Sequence, residues 1–126
     1  MMRVFDRALS ILLAIGGAGH GFVGTLLSSP LTERVTLWSF SGSLAIWAIA
    51  GLNWLRSGRP GDRLLALFAL LGASSWALMM VWLMEIAEMW GDPRPWSFIV
   101  ICLLLALRSA RDAARRGSPA TKSEPG

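Results

Sequence analysis

Few residues in this 126-residue chain are of types that do chemistry, and most of them stand inside apolar runs. His20 interrupts residues 8–27, and Glu85 and Glu88 lie three apart near the end of another long apolar run. A histidine with two carboxylates suits a divalent cation such as zinc, and equally a proton relay. Ser39, Ser41 and Ser43 fall at a similar distance from the chain's next turn and could add hydroxyl ligands. Trp38, with Trp82, Trp90 and Trp96, would give an organic cation an aromatic wall. These residues form the candidate ligand or ion site. The metal signal itself is weak, because one histidine without a second ligand at fixed spacing is unlike H-E-x-x-H. The plainer expectation is that the glutamates end their helix at an interface and that His20 bonds a neighbour.

A second group, Asp6, Asn53 and Arg108, falls near the ends of three apolar runs. An Asp6–Arg108 pair with Asn53 as a third partner is expected to be structural, since an unpaired charge there would be costly. A third group is glycine. Gly17 and Gly21 make a small-x-x-x-small pair, Gly24 follows, and Gly42 stands on the next run, so close helix packing is expected there. That seam joins either two helices of one chain or two copies of it. Cys102 is the only cysteine, which excludes an intrachain disulfide and a thiolate metal cluster within one chain. No phosphate loop, nucleophile elbow or internal repeat is present, and a single histidine excludes bis-histidine haem in one chain. No cofactor is expected, catalysis is not favoured, and metal binding stays open.

The elements that must position these groups follow from composition. The chain is 54% hydrophobic and 16% charged, against about 45–50% and about 25% in soluble domains. A soluble domain of this size would lack the polar surface to cover so much apolar sequence. An all-α membrane bundle is expected, with spans at about 8–27, 35–55, 64–90 and 96–110. The last has only 12 apolar residues before Arg108, so it spans only if the helix continues and Arg108 snorkels or pairs. Short links make the four helices run up-down-up-down in one unit, residues 1–110. The signal-peptide resemblance of the first residues fades, because its apolar run continues too far. Residues 111–126 read as a basic, disordered tail.

Charge sets the orientation. Ten Lys and Arg residues fall on one side of such a bundle and only Arg34 and Arg94 on the other. The positive-inside rule then places both termini in the cytoplasm of a cell whose inner membrane holds the protein. The net charge of +4 thus reads as topology and lipid contact, with no nucleic-acid partner. The expected partners are membrane lipids and either a second copy or another membrane protein. A non-catalytic structural or accessory subunit is the leading expectation. A small proton- or cation-coupled transporter or channel built on His20 and the glutamates comes second, and an enzyme acting on a lipid or quinone third.

Overall fold

A computed structural model describes residues 2–26 and 34–115, which contain helices and no strand. Helix α1 spans Met2–Ala18 and passes into a π-helical segment, Gly19–Leu26. Helices α2, Arg34–Gly58, α3, Arg63–Ile86, and α4, Pro93–Ala114, complete the fold. The expected turn at Pro30 and the tail from residue 116 onward lie outside the described residues.

Local chemistry sets the helix boundaries. Gly61, at φ +97°, turns the chain, and the Asp62 carboxylate then accepts from the Leu65 N–H at 3.0 Å to cap α3. Asp92 caps α4 by accepting from Arg94 N–H at 2.9 Å, and Pro93 follows where a missing N–H costs nothing. Two expected boundaries are corrected. The third helix ends at Ile86 rather than continuing to Trp90, and Glu88 sits in the left-handed region at φ 51°. The fourth runs past 110 to Ala114, so residues 111–114 belong to the bundle and not to a tail.

Each helix buries a stripe at three- and four-residue spacing. On α1 it is Asp6, Leu9, Ser10, Leu13 and Gly17; on α2, Ser43, Ile46, Ile49, Ala50, Asn53, Arg56 and Ser57. On α3 it is Ala66, Ala69, Ala73, Trp76 and Ala77, whereas Val81 is exposed. Helices α1 and α2, α2 and α3, α3 and α4, and α4 and α1 touch, whereas α1 and α3 do not. Asp6 near the start of α1 meets Arg56 near the end of α2, while Gly17 faces Ile46, so these two helices are antiparallel. The apolar core gathers Leu13, Ile46, Trp76, Cys102 and Leu105.

Large apolar side chains cover the outside of all four helices. Val4, Leu37, Trp38, Phe68, Leu78, Trp82, Val100 and Leu103 are exposed, Trp38 to 79%. Two stretches, Arg3–Thr25 and Arg63–Ile86, are long and apolar enough to cross a membrane by length and composition.

Candidate functional site

The densest polar chemistry lies where the start of α1 meets the ends of α2 and α4. Asp6 is 5% exposed and Arg56 2%, the most deeply enclosed charged residues described. The Asp6 carboxylate lies between two guanidiniums: Arg108 Nε donates to Oδ1, and Arg56 Nη2 lies 3.1 Å from Oδ2. Arg56 Nη1 donates to Asp112 Oδ2. The result is an alternating chain, Arg108–Asp6–Arg56–Asp112, with two positive and two negative groups and no net charge.

Helical spacing makes this possible. Arg108 and Asp112 are one turn apart on α4 and share a face, so they close on Asp6 and Arg56 from one side. A neighbouring polar layer lies one turn along α2 and α4. Ser109 Oγ donates to Asn53 Oδ1 at 3.2 Å and to Leu105 O at 2.8 Å, and Asn53 Nδ2 donates to Ile49 O at 3.0 Å. Ser10 Oγ returns to Asp6 O at 2.9 Å. Arg108 also lies over the Phe5 ring, 5.4 Å from its centroid. Arg56 Nε finds no acceptor, and Nη2 faces Asp6 off hydrogen-bonding geometry.

Against the sequence reading, Asp6 and Arg108 pair, whereas Asn53 bonds Ser109 and not the ion pair. Sequence reasoning missed Arg56, Ser109 and Asp112. Arg56 falls in the link between the second and third expected spans, and Asp112 in the expected tail. The missed signal was spacing, since Asn53 and Arg56 stand three apart and Arg108 and Asp112 four apart.

The His20 and glutamate group is dispersed. His20 is exposed on the π segment, which packs against α1 and α2 and has no contact with α3. Glu85 is exposed at the end of α3, and Glu88 follows beyond it. Although three apart in sequence, the two glutamates do not share a helical face, because the helix has ended before Glu88. Glu85 Oε2 accepts from Trp90 Nε1 at 3.1 Å, and Trp96 Nε1 donates to Trp90 O at 3.0 Å. Ser41 Oγ donates to Trp38 O and Ser43 Oγ to Ser39 O, so both hydroxyls serve their own helix. Trp38 lies open on the surface. Among the described residues no group of three His, Cys, Asp or Glu side chains could hold a metal ion.

The glycines mark a seam within the chain. A Cβ on Gly17 would stand 2.8 Å from Ile46 Cγ2, and one on Gly21 2.8 Å from Ser43 Cβ. A Cβ on Gly42 would stand 3.5 Å from Trp76 of α3 rather than against α1, and one on Gly24 3.6 Å from the Gly19 carbonyl oxygen. Beside the seam, Trp47 Nε1 donates to Ala14 O at 3.0 Å, and Phe22 stacks on Trp47 with centroids 5.7 Å apart. An indole from another helix thus takes a carbonyl of the last turn of α1, where the ladder widens into the π segment.

Away from the bundle interior, Arg94 bonds the Asp92 side chain and donates its own N–H, which together hold the Asp92 carboxyl below its ordinary range. The chain matches no family model and no solved structure.

Proposed function

We propose that this is a small integral protein of the bacterial inner membrane, its four helices crossing up-down-up-down with both termini in the cytoplasm. Its role is that of a non-catalytic structural or accessory subunit, bound to lipids and to a second copy or another membrane protein. The observation that carries this reading is where side chains sit on the bundle. Large apolar residues such as Leu12, Leu37, Phe68 and Leu103 face outward on the four helices, while Asp6, Asn53, Arg56 and Ser109 are buried within it. In water the exposed apolar surface would drive aggregation, whereas in a bilayer it is solvated. Charged groups in a membrane bundle must face its interior and pair, and the Arg108–Asp6–Arg56–Asp112 chain meets that requirement with no net charge.

The pairing also addresses the short fourth run. With Arg108 and Asp112 paired inside the bundle, α4 continues past Leu107, and its 22 residues reach about 33 Å. A transporter reading asks for His20 and Glu85 at one site, and they stand on elements that do not touch.

The test is gentle extraction of the full chain from its own membrane, followed by native mass spectrometry. A fixed complex with a second membrane protein or copy, kept intact by His20→Ala and Glu85→Gln, is expected. Cation-dependent flux through the reconstituted protein, abolished by Glu85→Gln, would overturn the accessory role. Recovery in the soluble fraction would overturn the membrane reading itself.

A further inference from the structure

Acids and bases at the end bearing the ionic chain are sorted unequally. Asp6 and Asp112 are engaged by Arg56 and Arg108, and Asp62 caps α3. Among the described residues the remaining arginines at this end, Arg3, Arg7, Arg59, Arg63, Arg111 and Arg115, are exposed. Among the described residues no carboxylate pairs with any of them.

Arg3 and Arg7 form the most unusual pair. They stand one turn apart on the same face of α1, where like charges repel. They also occupy the first two turns of a helix whose amino end is positive by its own dipole, with no acidic residue in the first turn to offset it. The carboxylate nearest in sequence, Asp6, is turned inward. The Arg7 guanidinium lies over the ring of Trp54 on α2, 5.0 Å from its centroid, and that indole is itself 41% exposed. Both unfavourable electrostatic features, the like-charge repulsion and the uncompensated helix end, are relieved by the same thing, an anion held between the two guanidiniums. At the opposite end, among the described residues, the exposed Arg34 has no second arginine one turn along α2, Arg94 is held by Asp92, and Glu85 and Glu88 are exposed.

We propose that Arg3, Arg7 and Trp54 form a site for the phosphate of an anionic phospholipid in the leaflet at this end of the bundle. This rests on the membrane reading above. Guanidinium forks match phosphate oxygens bidentately, and an indole at the interface holds the headgroup's depth. Trp54 keeps Arg7 beside the bundle wall, and the exposed Ile11, one turn along α1 from Arg7, continues that face for an acyl chain of the bound lipid.

The full chain is reconstituted into nanodiscs of phosphatidylcholine doped with phosphatidylglycerol, and retained lipids are counted by native mass spectrometry. Phosphatidylglycerol is expected to be enriched on the wild type. Because each guanidinium–phosphate bond at the site adds about fivefold, R3Q/R7Q together should lower the enrichment by about twenty-five-fold. R3K/R7K should keep most of it, and W54L should lower it by less than the double arginine change. R59Q/R63Q should leave it near the wild-type value. An equal loss in R59Q/R63Q, or equal retention of both lipids by the wild type, overturns the site. Excess inorganic phosphate should leave the lipid bound; its displacing the lipid would show a site for the free anion instead. Thermal unfolding of each variant in the nanodisc checks that these exposed changes leave the fold intact. A chain that never enters the nanodisc disposes of the membrane reading, whereas entry without enrichment disposes of the lipid site alone.

Discussion

The two ends of the bundle treat ionisable residues in opposite ways. At one end four charged side chains from three helices converge, leave solvent and cancel. At the other, His20, Glu85 and Glu88 stand on elements that do not meet, and each remains exposed. A charge in an apolar sequence therefore does not by itself mark a site; whether a partner on another helix reaches it decides. The convergent end is where the helices are fixed against one another, and the dispersed end is where the surface is free.

The largest effect should come from breaking the convergent end by halves. Arg56→Met leaves Asp112 without its partner and Asp6 with one guanidinium in place of two. Such a loss inside a fold costs roughly 3–5 kcal/mol, enough to unfold many domains of this size. Arg56→Met combined with Asp112→Asn should be less damaging than Arg56→Met alone, because it leaves fewer stranded charges. Thermal unfolding in detergent reads both. A single variant no worse than the double would show that the ionic chain does not hold the bundle together.

The glycine seam gives the next effect, and it differs in sign from its neighbourhood. Gly51, exposed in the middle of α2, has open space around it, so Gly51→Ala should stabilise by about 0.5–1 kcal/mol through helix propensity. Gly21→Ala meets Ser43 instead, and overpacking of this kind costs about 1–3 kcal/mol. Opposite shifts in melting temperature are expected. Shifts of the same sign would mean that the π segment and α2 do not approach closely at Gly21.

These results show what sequence carries and where it stops. Helix number and the Asp6–Arg108 pairing were legible, because apolar runs bounded by prolines, glycines and arginines specify helices and a charge at a helix end needs a partner. Asp112 was hidden because the run of apolar residues stops at Leu107, although the helix continues wherever side chains on its face find partners. Arg56 was hidden because an arginine beside a Gly-Pro turn looks the same whether it faces solvent or Asp6. The separation of His20 from Glu85 depends on which helices become neighbours, and that is a property of the assembled bundle. The π segment had no sequence signature beyond its glycines, since it depends on Trp47 of another helix reaching Ala14.

At the dispersed end substitutions should do little. His20→Ala removes an exposed ring whose backbone carbonyl, not its imidazole, accepts from Thr25. Its effect should stay within about 0.5 kcal/mol. Glu85→Gln keeps an acceptor for Trp90 and should be equally mild. A large loss of stability from either would show that these side chains meet partners in the assembled protein, and would bring the two ends closer in character.

The smallest effect is one of acidity, in the exposed corner before α4. Asp92 caps the helix and accepts from Arg94, and both interactions favour its ionised form. A carboxyl whose folded value is depressed adds stability that is fully present above its unfolded value and is lost as pH falls through the folded one. The contribution should therefore persist through the neutral range and fade only in acid, below the ordinary aspartate value of 3.8. Asp92→Asn retains a capping side chain but cannot titrate, so its melting temperature should fall slightly at neutral pH and converge with wild type in acid. Because the corner is solvent-exposed, added salt should shrink the neutral-pH difference, whereas the enclosed Arg56–Asp6 contact should respond far less. Equal salt sensitivity at the two places would mean that water reaches both, and the contrast between a sealed end and an open one would fail.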